Sequence, residues 1–272
     1  MRVLITGASS GIGYKIGVEL AKRGHLVYMT CRSIKEVFCL RKKLELEGVS
    51  AVCFKLDLLT DDIYLVRKLE IDCLVNQAGI GVSGSLLTMD DKGLREVYET
   101  NIFRSFLLLK EVYWQMKKRN IMGKIFVTSS LISLFPIPFL GVYSSSKAAI
   151  SLFSSRFIYS SIPILYPSIL DGLSSFAVIK IIGDTIQFCL IEPGAYKTGF
   201  NQVMVDSFYN YSSLNTTIPI YQRKLFALLE SKNMDRLVFK IVKEIEHKKT
   251  KKILRVPFLQ GVLLKIYGLF FG

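Results

Sequence analysis

Six short apolar runs, separated by longer stretches of helical period, constrain this chain more than any other feature. The runs are RVLIT (2–6), LVYMTC (26–31), AVCFKL (51–56), DCLVNQ (72–77), KIFVTSS (124–130) and IQFCLIE (186–192), with amphipathic segments such as 12–23, 34–47 and 94–118 between them. A strand with one wet face alternates apolar and polar residues. These runs are continuous, so both faces of their sheet must be covered. Helices between the strands supply the cover, which predicts an α/β, doubly wound parallel sheet with its ligand beyond the carboxyl ends of the strands. A chain of 272 residues with 50% apolar content can bury the core of one such domain, and no repeat or low-complexity linker divides it. We read 1–272 as a single domain.

The first strand ends in TGASSGIG (6–13), with Gly7, Gly11 and Gly13 in a turn that opens a helix. Glycines permit the tight turn and let the backbone N–H groups around Ser9, Ser10 and Ile12 approach a pyrophosphate, which the helix dipole also favours. Alone this could be an ordinary Gly-rich turn; after the first strand of an α/β chain it predicts a Rossmann-like dinucleotide site. An NAD site places an acid near the end of the second strand to accept from the ribose hydroxyls. Here Cys31 is followed by Arg32 and Ser33, with no carboxylate, and a guanidinium suits a 2′-phosphate. NADP(H) is therefore favoured over NAD(H), against the plainer reading of Arg32 as a solvated surface residue.

Charge and cysteine usage narrow the classes further. Net charge +14 favours anionic partners: a phosphorylated cofactor, acidic lipid or nucleic acid. The basic clusters 41–43, 117–119 and 248–252 are scattered and match no nucleic-acid-reading module, so nucleic acid is not expected. Cys31, Cys39, Cys53, Cys73 and Cys189 show no CxxC spacing, and four of them sit in apolar strand-like or helical runs, as reduced packing residues of a cytoplasmic protein. His25 and His247 lie far apart in sequence, so no metal site is expected. The strand-like start MRVLITGASSG argues against a signal peptide.

YSSSK (143–147) is one of three YxxxK matches, beside Tyr64–Lys68 and Tyr113–Lys117. The bare motif is weak in a chain with 13 Tyr. Ordered spacing decides between them. TGASSGIG, Asp57 in LDLL, NQAG (76–79), Asn101 in ETN, KIFVTSS, YSSSK and EPGAYKT follow one another so that the chain, through about residue 200, resembles the short-chain dehydrogenase/reductase family. In that family a Ser stands thirteen residues before the catalytic Tyr, which here is Ser130 before Tyr143; neither decoy fits.

The resemblance implies a set of roles. Tyr143 is the acid/base, and Lys147, one helical turn on, lowers its pKa from near ~10 and holds the nicotinamide ribose. Ser130 orients the substrate carbonyl, and Asn101 anchors a water in a proton relay. Asp57 sits near the adenine; Asn76, Ala78 and Gly79 support the central strand and the cofactor's ribose; Pro193, Gly194 and Thr198 face the carboxamide. Taken singly, these residues read as caps, strand-end turns and an ordinary Pro-Gly turn.

Departures from the pattern are informative. Gln77 replaces the family's usual second Asn and should alter a local hydrogen bond, and the short span from Asp57 to Asn76 predicts a truncated helix. The run from Lys147 to Pro193 is longer than the family's, with apolar excess near 151–170 containing Pro163 and Pro167. Proline interrupts helices, so a helix over about 143–160, a bent crossing and a second helical piece near 169–180 are expected. This insertion is open to three readings: a partner- or membrane-binding element, a benign loop, or an artefact of how the coding sequence was read. It would disturb the family's usual homo-oligomer interface.

Segment 195–235 is the expected substrate lid; Tyr196, Phe200, Phe208, Tyr209, Tyr211, Tyr221 and Phe226 would line it for an apolar steroid-, retinoid- or lipid-like carbonyl, or simply pack it onto the body. In the tail 246–272, ILRVP is a candidate last strand, and the basic and apolar residues around it fit either pocket cover or a peripheral membrane contact. The function implied is an NAD(P)-dependent oxidoreductase acting on a small apolar carbonyl or alcohol. The rival is a non-catalytic dinucleotide-binding scaffold of the same fold.

Overall fold

The computed structural model describes residues 1–134, 137–159, 164–167, 176–179, 185–211 and 217–256. Strand β1 (Arg2–Ile5) runs into the glycine turn and α1 (Gly11–Lys22), followed by β2 (Leu26–Cys31), α2 (Ile34–Leu46) and β3 (Val52–Lys55). A short 3₁₀ turn (Ile63–Lys68) then leads to β4 (Cys73–Asn76), α3 (Asp91–Tyr98), a stretch of π-helix (Glu99–Arg104) and α4 (Ser105–Lys118). The chain continues through β5 (Lys124–Thr128), a 3₁₀ turn (Leu131–Leu134), α5 (Gly141–Tyr159), β6 (Ile164–Pro167) and β7 (Phe176–Ile179). It closes with β8 (Gln187–Pro193), α6 (Phe200–Asp206), α7 (Phe208–Tyr211), α8 (Ile218–Leu229), α9 (Asp235–Glu246) and β9 (Ile253–Val256).

Seven strands form one parallel sheet in the order β3-β2-β1-β4-β5-β8-β9. The continuous apolar runs are explained by their two-sided burial. Val3 and Ile5 point with Val27, Met29 and Val75 into the layer under α1, α2 and α9, while Leu4, Leu74, Ile125 and Val127 meet α4 on the opposite face. Each such side chain taken fully out of water contributes about 1.5–3 kcal/mol. The sheet reverses direction of winding between β1 and β4, and the turns after β1, β4 and β5 converge there, as the doubly wound plan requires.

Three local expectations meet a definite outcome. The short span after Asp57 carries the 3₁₀ turn in place of a full helix, capped by Asp62, whose carboxylate accepts from the Tyr64 N–H at 2.9 Å. The amphipathic segment 94–118 is interrupted by the π-helical turn at Glu99–Arg104, which the apolar periodicity does not reveal. The helix expected over 143–160 spans Gly141–Tyr159, but residues 176–179, placed in a second helical piece, form a strand antiparallel to Ile164–Pro167. FAVI combines an aromatic with two β-branched residues, a composition that suits a strand. The rest of that predicted piece lies outside the described residues. ILRVP supplies the final strand, β9, paired parallel to β8; the tail beyond Val256 lies outside the described residues. All five cysteines are free, and only Cys39 is exposed.

Candidate active site

A cavity of about 1290 Å³ opens along the carboxyl ends of the central strands. Its first wall is the turn after β1. The Thr6 hydroxyl accepts from the N–H groups of Gln77 (3.0 Å) and Ala78 (2.9 Å), which ties the β1 turn to the end of β4. Gly7 holds φ +64°, and a Cβ there would stand 2.9 Å from Ala78 Cα; a Cβ on Gly13 would stand 2.6 Å from the Gly7 carbonyl oxygen. Backbone, not movable side chain, fills both places, so these two positions require glycine. The first turn of α1 has no side-chain cap and no acidic residue, in contrast to α2, where Ser33 and Glu36 form a reciprocal capping box. Gly7, Ser9, Ser10, Gly11, Ile12 and Gly13 face the cavity, so uncapped helix N–H donors point where a pyrophosphate would lie. The residues fit a dinucleotide.

Farther along the same wall stand Arg32, Asp57, Ala78 and Gly79. Asp57 accepts from the Leu59 N–H at 3.0 Å, which shapes the turn at this end of the cavity. Glu36 also reaches this end of the cavity, where its carboxylate accepts from the N–H groups of Arg32 (2.9 Å) and Ser33 (3.3 Å). Sequence reading passed over Glu36, although the pattern Ser33-x-x-Glu36 is a legible capping signature.

Ser130, Tyr143 and Lys147 meet in the middle of the cavity. Tyr143 and Lys147 sit one turn apart on α5, and Ser130 follows β5 by two residues. The Ser130 hydroxyl lies beside the Tyr143 phenol and accepts from the Ile132 N–H at 3.3 Å. Lys147 Nζ donates to the Thr128 carbonyl at 3.1 Å and lies 5.8 Å from the centroid of the Tyr143 ring. The helix is pinned to the strand by Ser129, whose hydroxyl donates to the Lys147 carbonyl at 2.8 Å. Tyr64 and Tyr113 lie elsewhere: Tyr64 stacks under Arg67 on the surface, and Tyr113 packs against Trp114 and Phe188.

The electrostatics correct one expectation. Burial pushes the Tyr143 phenol above its ordinary value, and the neighbouring Ser130 hydroxyl draws it back only in part. Burial also lowers the Lys147 ammonium to about 8. Loss of hydration is the leading cause at both groups, and the ammonium is directed at Thr128. Tyr143 is thus held protonated, not driven toward tyrosinate.

Two expected contacts are indirect. Asn101 does not line the cavity: its amide donates to the Ile80 carbonyl (2.8 Å) and the Ser146 hydroxyl (3.0 Å), and its oxygen accepts from the Ile80 N–H (2.8 Å). The side chain therefore splints the backbone at Ile80. Asn76 is buried and donates to the Ser105 hydroxyl at 2.6 Å, so it bolts β4 to α4 without reaching a cofactor. Gln77 does line the cavity, and its oxygen accepts from the Thr128 hydroxyl at 2.7 Å.

Pro193, Gly194 and Thr198 close the far side, with Thr198 packed against Gly11. Beyond them the cavity becomes apolar. Tyr196, Phe200 and Phe226 line it as expected, but Phe208 is buried against Phe139, and Tyr209 and Tyr221 face solvent. The Tyr211 side chain lies outside the described residues. Ile132, Ile137, Pro138 and Met204 complete the lining, positions without a motif to mark them.

Comparison with known proteins agrees with this geometry. The family model for short chain dehydrogenase matches residues 1–158. A 3-ketodihydrosphingosine reductase of Bacteroides thetaiotaomicron is 28% identical over 198 residues, covering 73% of this chain and 65% of that protein. Human retinol dehydrogenase 8 is 31% identical over 207 residues, covering 73% of this chain and 60% of that protein. The chain thus spans less than two thirds of these relatives' length. A short chain dehydrogenase/reductase from Burkholderia phymatum, solved in complex with NAD, superposes with a TM-score of 0.77 over 98% of this chain and 93% of that one, at 16% identity. With the glycine turn, the Ser–Tyr–Lys cluster and the parallel sheet in their expected order, this chain belongs to the short-chain dehydrogenase/reductase family.

Proposed function

We propose that the protein is an NAD(P)-dependent oxidoreductase that reduces the carbonyl of an apolar substrate, or oxidises the corresponding alcohol, with Tyr143 as the acid/base. The single observation that carries this reading is the continuity of the cavity, from the uncapped start of α1 past Ser130, Tyr143 and Lys147 to the apolar wall of Phe200, Met204 and Phe226. Gly7, Ser9 to Gly13, Ala78, Gly79, Pro193, Gly194 and Thr198 would hold the dinucleotide, which when bound supplies or accepts a hydride. Arg32 at the adenine end favours NADP(H) over NAD(H) through charge-assisted bonds to a 2′-phosphate. Asp57 would border the adenine.

The chain's own part is positioning and proton transfer. Ser130 donates to the substrate oxygen and fixes it beside the phenol. Tyr143, protonated in its buried place, gives its proton to the oxygen as negative charge develops there, a direction that favours reduction. Lys147 then returns a proton to the phenol. Asn101 acts through the Ile80 backbone as a positioning residue.

The reductase of a long-chain keto lipid and the retinol dehydrogenase among the relatives support an apolar substrate. Pairing of two copies is supported by Phe103, Leu107 and Trp114 on the α4 side and Leu152 and Phe153 on α5, all partly exposed apolar residues. Among the described residues no helix is long and apolar enough to cross a membrane. Peripheral contact through the tail concerns residues outside those described.

The test is consumption of NADPH and of NADH, followed by absorbance, over a panel of apolar aldehydes and ketones, with Tyr143→Phe as control and cofactor binding measured by fluorescence. Turnover by the native protein that is lost in the variant supports the reading. Cofactor bound by both with no substrate turned over would establish the non-catalytic scaffold instead.

A further inference from the structure

Above the Tyr143 phenol two segments meet that neither the cofactor turn nor the proton-transfer set uses. One is the loop after β4. Its backbone is rigid, because the Asn101 amide bonds both the N–H and the carbonyl of Ile80 at 2.8 Å. The other is the start of α6. Gly199 caps that helix at φ +84°, a conformation that glycine adopts without penalty, and so sets the direction of Phe200. The Phe200 ring lies with its centroid 5.5 Å from that of Tyr143, the planes tilted by 47°.

Loop and helix interlock at Gly81. A Cβ placed there would stand 2.9 Å from Phe200 Cζ and 2.8 Å from Met204 Sδ. Gly81 does not lie in the left-handed region, so its backbone does not demand glycine; the space above it does. The missing side chain of Gly81 is the seat of the Phe200 ring, and that ring in turn roofs the phenol.

We infer that Gly81 and Phe200 form a size filter over the reacting carbonyl, which selects aldehydes and ketones unbranched beside the carbonyl over ketones branched there. This rests on the oxidoreductase reading and names the substrate class within it. The rigid loop backs the aromatic ring and holds it in place beside Tyr143, so bulk on the carbon next to the carbonyl meets Phe200 before the oxygen reaches Ser130 and Tyr143. One extra methylene that a hydrophobic pocket cannot accommodate is worth about 10- to 200-fold in discrimination.

The test uses decanal, a straight methyl ketone of the same chain length and its α,α-dimethyl analogue, with the native protein, Phe200→Ala, Gly81→Ala and the double variant. The quantity read is the ratio of kcat/KM for the branched ketone to that for the aldehyde, which partial loss of folded protein does not move. Phe200→Ala should raise this ratio about tenfold or more. Gly81→Ala, whose Cβ would meet both Phe200 Cζ and Met204 Sδ, should displace the ring and lower it, and the double variant should recover part of the way toward the Phe200→Ala value because one of the two clash partners has gone. A ratio unmoved in both single variants, or a Gly81→Ala deficit that persists undiminished in the double variant, overturns the filter. Bound cofactor with turnover of none of the three compounds by the native protein would overturn the oxidoreductase reading, and the filter with it.

Discussion

Lys147→Met should abolish turnover and make the folded protein more stable at pH 7. Lys147 is buried, at 5% exposure, and burial lowers its ammonium from 10.5 to about 8. Between those two values the unfolded chain binds more protons than the folded one, so the stability contributed at this site rises with pH across the window, and the full penalty stands below about 8. The penalty is about 3 kcal/mol at pH 7 and falls to about 1 kcal/mol at pH 10. Methionine has a similar length and no charge. Its cost is the unpaired Thr128 carbonyl, which Lys147 now serves at 3.1 Å, worth about 1 kcal/mol. The variant should therefore gain about 2 kcal/mol at pH 7, equivalent to a rise of about 4–8 °C in Tm, and close to nothing at pH 10. Urea unfolding of both proteins at the two pH values measures the gap directly. A variant less stable at pH 7, or a gap that widens as pH rises, would refute the claim that an inadequately compensated ammonium sits beside the phenol.

Other expectations follow from the same coordinates. Reduction should slow as pH rises through about 8, where Lys147 loses the proton it returns to Tyr143; a kcat profile that stays flat to pH 9.5 would remove Lys147 from the proton path. Arg32→Ala should cost about 2 kcal/mol of NADPH affinity and leave NADH affinity nearly unchanged, measured by fluorescence titration of both cofactors. Equal losses for both would return Arg32 to the role of a surface residue. Gln222→Leu should destabilise the lid by about 1–3 kcal/mol, because its oxygen accepts from the buried Ser83 hydroxyl at 2.8 Å and its amide donates to the Pro138 carbonyl at 3.3 Å. Hydrogen exchange confined to α8 and the loop around Ser83 would report it.

The parts of this fold that sequence made legible are those imposed by periodicity or by backbone sterics. The six apolar runs declare themselves because a strand buried on both faces has no polar positions, and Gly7 and Gly13 because no other residue fits against the backbone they touch. The cluster of Ser130, Tyr143 and Lys147 was legible by order, since strand end and helix face are tied by topology. What escaped reading depends on contacts between distant segments. Nothing near Asn101 in sequence tells that its amide is spent on Ile80, or that the helix around it widens by one turn. Glu36 was visible as a helix cap, yet its place on the cavity wall beside Arg32 follows from how α2 leaves the sheet. The aromatic residues of the lid divide between cavity, core and solvent, because residue type gives hydrophobicity and only packing gives direction.

Lys124 gives the contrast that isolates what is particular to Lys147. It too is buried, and burial lowers its ammonium as well. Its three N–H groups, however, meet the carbonyls that α9 leaves unpaired at its end: Ile245 at 2.6 Å, Glu244 at 3.4 Å and His247. The helix dipole favours a cation at that position, so charge and donors are both used. Lys124→Met should destabilise the protein by about 1–3 kcal/mol, through three stranded carbonyls and a lost cation at a helix terminus. The same substitution at two buried lysines, at opposite ends of β5, is thus expected to act with opposite sign. Lys124 is satisfied by structure, whereas Lys147, among the described residues, has one carbonyl for three N–H groups, and the remaining donors face the cavity where a ribose would meet them. If both variants lost stability to a similar degree, Lys147 would be an ordinary core lysine, and the unspent donors beside Tyr143 would no longer point to a ligand.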